Sequence, residues 1–306
     1  MTNSWARWLA SNDSARYQLS RKQGWNAFVS SGPRDDFEVL TRQQMGALPA
    51  DHLEDYNEAR MVWNANLPTV KTAQLAAAYG VIDQVMASGR RDGDRLRGSV
   101  VIDAEPGLGK TTIATRYARD FHRTVYRRDA LAVDCVTSCQ TRLIIIDDLH
   151  FIDFRHRHGT EVSNHLKGLA NEMAVTFIYV GVKLQEKRFF DEGLIGEQAV
   201  YAQTSRRTTR CEVAPFAIKS EAGFRGWVGL LRALESHIKL VDAHPGMLVD
   251  HAQELHRRTQ GRIASLTNLI DRVCYLAIAS GTETINSELI AATTIDNAAQ
   301  VSSATA

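Results

Sequence analysis

The segment Ala104-Glu105-Pro106-Gly107-Leu108-Gly109-Lys110-Thr111-Thr112 gathers two glycines, a lysine and two hydroxyl side chains into one short run. Residues of these types, so spaced, can wrap a chain of phosphates. Gly107 and Gly109 lack a Cβ, so the backbone can bend tightly and aim its N–H groups at phosphate oxygens. The run follows an apolar stretch, Ser99 to Asp103, and opens a helical one. A helix starting near Lys110 adds partial positive charge beneath the phosphates. Strand, loop and helix together are the context that a Walker A loop requires. Lys110 is expected to reach the β- and γ-phosphates of ATP, and Thr111 to offer its hydroxyl to Mg²⁺. Glu105, Pro106, Gly107, Leu108, Gly109 and Thr112 complete the expected nucleotide-binding set. Ala104 stands where the first glycine of the pattern is usual, and its small side chain is expected to preserve phosphate binding.

Asp147 ends a second apolar run, Arg142-Leu-Ile-Ile-Ile-Asp147, and Asp148 follows it. On a strand beside the phosphate-loop strand, Asp147 would hold Mg²⁺ through water, the part of a Walker B acid. Asp148 would orient or deprotonate the attacking water. An Asp is one methylene shorter than the Glu usual at that position, so hydrolysis stays open where binding is expected.

Elements must position these groups. Short apolar runs separated by helical stretches over residues 99 to about 215 predict a parallel α/β sheet buried on both faces. Its strands are expected at Ser99–Asp103, Arg142–Asp147, Ala174–Gly181 and Cys211–Phe216. A helix from about Val162 to Glu172 would turn Val162, Leu166 and Leu169 to one face. Residues 1–98 form a mostly helical extension holding Trp5, Trp8, Trp25 and Trp63, with helix over 41–65 interrupted at Leu48 and Pro49. The stretch from Gly89 to Gly98 reads as a solvated charged turn. Residues 217–293 read as a helical lid, with Trp227, Leu230, Leu231, Leu234 and Ile238 on one stripe and Ile263, Leu266, Leu269, Ile270, Val273 and Ala277 on another. Residues 294–306 are expected to form a flexible tail.

The 306 residues suffice for two domains, and the balance of 36 basic and 35 acidic side chains excludes a uniformly basic nucleic-acid coat. Cys135, Cys139, Cys211 and Cys274 suggest neither a disulfide framework nor a zinc site, and are expected to be reduced thiols in the cytoplasm. No apolar run approaches the length of a membrane span.

In order, the Walker A loop, Walker B acids, a further strand, a basic box and a helical lid resemble an AAA+ ATPase. More closely the chain resembles the TniB-type ATP-binding proteins that help transposases. The likeness runs from Tyr56-Asn-Glu-Ala-Arg-Met-Val-Trp63 through Leu143-Ile-Ile-Ile-Asp-Asp-Leu-His150, Asn164-His-Leu-Lys-Gly-Leu-Ala-Asn-Glu172 and Phe177-Ile-Tyr-Val-Gly181. It extends to Arg258-Thr-Gln-Gly-Arg-Ile-Ala-Ser-Leu266 and about Ile290. The resemblance implies that Arg206 or Arg207 supplies an arginine finger to a neighbouring subunit, and that Arg262 acts as sensor 2. Gly181 lies where the polar sensor-1 residue is usual, with Thr176 and Lys183 poor substitutes by position. Only 37 positions lead from Lys110 to Asp147. The segment from Thr124 to Val136 must therefore stand in for a strand and helix, giving a core that lacks one edge strand.

The resemblance further implies a homo-oligomer that assembles on duplex DNA without sequence preference and assists a transposase. Arg155-His-Arg-His158 and Lys183-Leu-Gln-Glu-Lys-Arg188 are the candidate DNA loops. Two alternatives stay open: a nucleotide-dependent scaffold with weak or no hydrolysis, and a helicase-loader, initiator-like or signalling ATPase.

Overall fold

In a computed structural model of the chain, residues 3–12, 17–88, 98–125, 141–152, 157–173, 175–187, 189 and 208–295 are described. They divide into two compact units, one made of Tyr17–Ser31 and Ala73–Ala214, the other of Met1–Arg16, Gly32–Thr72 and Pro215–Ala306. The residues before the first strand are thus shared between the units.

The first of these units is an α/β layer. Its strands are β1 (Ser99–Asp103), β2 (Leu143–Ile146), β3 (Thr176–Gly181) and β4 (Thr208–Cys211), all parallel, in the order β2-β3-β1-β4. Ile102 pairs with Val180 on one side and Cys211 on the other, and Ile145 pairs with Ile178. Alternation along β1 sends Val100 and Ile102 to one face and Val101 to the other. On the first face they meet Ala78, Ile82 and Val85 of α5 (Ala73–Ser88) and Ile113 and Tyr117 of α6 (Lys110–Val125). On the second face Val101 joins Leu149, Phe177, Tyr179, Leu184 and Phe189. The helix α2 (Lys22–Ser30) is tied to α6 where Arg123 Nε donates to Val29 O at 2.8 Å and the Arg119 guanidinium lies 4.9 Å from the Phe28 ring.

Three expectations change. The fourth strand lies N-terminal to the expected Cys211–Phe216, because what pairs with β1 is the polar run Thr208-Thr209-Arg210, which an apolar pattern cannot reveal. The helix α7 spans Arg157–Glu172, and of its expected apolar face only Leu166 packs on the core, while Val162 and Leu169 are exposed. The acid-bearing β2 is not beside the phosphate-loop strand: β3 intervenes. Among the described residues β2 is an edge strand and only half-buried. The expected missing edge strand, read from 124–136, falls largely outside the described residues, as do the turn at 89–97, Cys135, Cys139, and the tail beyond 295.

The second unit is helical. Here α8 (Glu221–Glu235), α9 (Ala252–Thr259), α10 (Ile263–Ala279) and α11 (Ser287–Ala292) enclose Trp227, Leu230, Leu231, Leu234, Leu266, Leu269, Ile270 and Val273. Both apolar stripes expected of a lid therefore supply core. Trp227 satisfies its buried indole by donating to Ala252 O at 2.9 Å. Ser220 starts α8 as an N-cap, its hydroxyl accepting from Gly223 N. The short α3 (Arg42–Gly46) opens with a capping box between Thr41 and Gln44. It leads into α4 (Ala50–Asn64), whose Tyr56 and Ala59 are fully buried. Trp8 of α1 (Ser4–Ser11), Phe37 and Trp63 form edge-to-face or tilted pairs in the same unit. Cys211 and Cys274 are buried free thiols. No helix among the described residues is long and apolar enough to cross a membrane.

Candidate phosphate-binding site

The loop between β1 and α6 leaves the C-terminal edge of the sheet and turns on Gly107 (φ 78°) and Gly109 (φ 84°). That left-handed backbone is open to glycine at little cost. Leu108 between them is buried against the α5/α6 face and anchors the turn, while Glu105 and Pro106 are exposed. Lys110, Thr111 and Thr112 form the first turn of α6, and both threonines face solvent. The loop thus presents its backbone at a helix N-terminus, the arrangement that attracts anions.

Lys110 folds over the loop. Its Nζ donates to Ala104 O and Glu105 O, each at 2.8 Å, so one of its three N–H donors remains. Partial burial holds its ammonium below the usual lysine range, opposed by the carboxylates of Asp103, Asp147, Asp148 and Glu105. The lysine therefore lies within electrostatic reach of both acids that follow β2, although β3 separates β1 from β2.

Asp147 follows β2 directly, and its Oδ1 accepts the Asp148 N–H at 2.8 Å. Asp148 adopts the left-handed conformation (φ 59°, ψ 26°) and leads into one 3₁₀ turn, Leu149–Phe151. Its side chain is exposed, whereas Leu149 is buried. Thr111 and Asp147 offer hard oxygen ligands of the kind Mg²⁺ takes.

Sequence reasoning missed Asp103. At the end of β1 its Oδ2 accepts from Leu184 N at 3.0 Å and Gln185 N at 3.4 Å, tying the loop after β3 to the phosphate-loop strand. The signal was present: a carboxylate closes an apolar strand immediately before the glycine-rich loop. Gly181 closes β3, and a Cβ built there would lie 2.6 Å from Leu184 Cδ2. Thr176 is buried at the opposite end of the strand, and Lys183 pairs with Glu186 at 3.2 Å.

Arg262 caps α10 in the helical unit. Arg206 and Arg207 lie outside the described residues, as do Arg155, His156 and Arg188. Lys187 is engaged, its ammonium donating to His150 O.

A family model described as bacterial TniB protein matches residues 121–189, a stretch that begins after the phosphate loop and takes in the acid pair, α7 and β3. Over that stretch the chain is TniB-like, as the motifs imply. Among solved structures, Thermotoga maritima RuvB, titled a Holliday junction branch migration motor, is 12% identical with a TM-score of 0.41 over 72% of this chain and 68% of that one. A variant of the same protein is 13% identical with a TM-score of 0.43 over 74% and 72%. No curated protein matches.

Proposed function

We propose that the chain binds ATP with Mg²⁺ and hydrolyses it to ADP and phosphate. One observation carries the reading: a glycine-bent loop at a helix N-terminus holds Lys110 within electrostatic reach of Asp103, Asp147 and Asp148. Backbone N–H groups of 107–112 would bind the phosphates, and the Lys110 ammonium would turn from the loop carbonyls to the β- and γ-phosphates. Thr111 and Asp147 would hold the metal ion, which when bound neutralises charge on the phosphates. Nucleotide and water would supply the remaining ligands. Asp148 would take a proton from water as the water oxygen bonds to the γ-phosphorus. The bond from that phosphorus to the bridging oxygen breaks, and ADP leaves with the electron pair.

The TniB-like stretch supports a place in transposition. In this reading a homo-oligomer forms on duplex DNA in the cytoplasm and assists a transposase, with Arg206 or Arg207 acting across subunits and Arg262 as sensor 2. Lys110→Ala tests the core of it: nucleotide affinity and turnover should both be lost while the fold persists. Turnover equal to that of the parent chain would sink it. Imaging with ATP and DNA tests assembly, which should require nucleotide.

A second reading, a nucleotide-dependent scaffold, is favoured by Gly181. Leu184 fills the space that a polar sensor-1 side chain would occupy. Tight ATP binding without turnover, with or without DNA, would select it.

A further inference from the structure

One buried nitrogen next to the proposed general base is unsatisfied. His150 Nδ1 is shielded from solvent and has no hydrogen-bond partner, and Asp148 Oδ1 lies 3.8 Å away. A buried polar atom left unpaired is costly, so such an atom beside a reactive carboxylate calls for an explanation.

The local backbone aims this nitrogen. The left-handed Asp148 turns the chain back on itself, and Phe151 N closes the turn on Asp148 O at 3.1 Å. Buried Leu149 pins the turn to the core. Lys187 holds the His150 carbonyl from the loop after β3, and the Phe151 ring leans on the imidazole with centroids 4.4 Å apart. The imidazole is thus constrained while the Asp148 side chain, 65% exposed, can rotate.

We infer that His150 is a positioning residue for Asp148. Its Nδ1–H donates to the carboxylate once Asp148 swings toward the attacking water. The present gap is too long for a hydrogen bond, and contacts of catalytic groups commonly tighten only in the reacting complex. The short aspartate needs such a guide, since no longer stem carries its oxygen to the water. The proton from water goes to Asp148 alone, and the imidazole keeps its Nδ1 proton. The inference rests on the hydrolysis reading above.

The test compares His150→Ala, His150→Asn and His150→Gln in the full chain, measuring ATP affinity and turnover separately. The asparagine amide nitrogen can stand in for Nδ1, whereas that of glutamine reaches the place of Nε2. Alanine and glutamine should lower kcat about tenfold, a part of the ~10²–10⁴ that a general base supplies. ATP affinity should be unchanged, and asparagine should recover most of the rate. Undiminished turnover in His150→Ala, or asparagine no better than glutamine, overturns the inference. If the parent chain binds ATP without turnover, the hydrolysis reading fails and the imidazole ¹⁵N spectrum with ATP bound decides. A proton on Nδ1 whose signal moves on Asp148→Asn supports the contact; a spectrum indifferent to Asp148 overturns it.

Discussion

Arg60 and Glu283, more than two hundred positions apart, meet in a two-pronged ion pair inside the helical unit, Nη1 to Oε2 at 2.5 Å and Nη2 to Oε1 at 2.9 Å. Both side chains are almost wholly buried. Glu283 Oε2 also accepts from Val241 N, Arg60 donates to Asn57 Oδ1 at 2.6 Å, and the guanidinium sits 4.7 Å from the Tyr56 ring centroid. Together with the Asn64 side chain, which donates to Lys239 O and accepts from Lys239 N, this pair joins α4 to the segments that connect the C-terminal helices.

Removing one partner strands a buried charge, which costs about 3–5 kcal/mol. Arg60→Met and Glu283→Gln should each lower stability by an amount of that order in chemical denaturation. The double variant Arg60→Met with Glu283→Gln should lose much less than the sum of the two singles. Additive losses would show that the fork contributes nothing as a pair.

Asp103 supplies a second prediction. Asp103→Ala leaves the Leu184 and Gln185 N–H groups without their acceptor, a loss of about 1–3 kcal/mol. It also takes away one of the carboxylates that favour charged Lys110. Calorimetric titration should show weaker ATP binding than in the parent, with Asp103→Asn intermediate in stability.

At Gly181 the prediction concerns space. Gly181→Asn, which would restore a polar side chain at that strand end, places its Cβ against buried Leu184. Alone it should destabilise the sheet unit, by about 1–3 kcal/mol for overpacking. Paired with Leu184→Ala it should regain part of that loss. A stable single variant with raised turnover would instead show that Leu184 yields easily.

Tyr179 and Tyr79 predict the alkaline limb of stability. Burial pushes each phenol up to about 12. In the unfolded chain a tyrosine titrates near pH 10, so between about pH 10 and 12 the folded chain holds more protons than the unfolded one. Stability from these groups is thus fully present below about pH 10 and declines toward pH 12. Tyr179→Phe should flatten that decline in pH-dependent denaturation; an unchanged slope would mean that Tyr179 ionises freely.

The glycine-bent loop between β1 and α6 was legible because its signals are local. Glycines, lysine and hydroxyls must be contiguous to wrap a phosphate, and the apolar runs before and after mark a strand and a helix by period alone. The apolar strands at 99–103 and 143–146 and the stripes of α8 and α10 were readable for the same reason. Tertiary structure alone decided what depends on pairing between distant segments. It placed β3 between the lysine strand and the acid strand, and it recruited the polar run 208–211 as an edge that apolar periodicity passes over. Arg60 reads in sequence as one more helix-surface charge, and only Glu283, brought from the far end of the chain, makes it a buried one. Asp103 and His150 are ordinary by type; their neighbours Leu184 and Asp148 set what they can do. Side-chain type and period are properties of neighbouring positions, whereas burial and partnership belong to the folded chain.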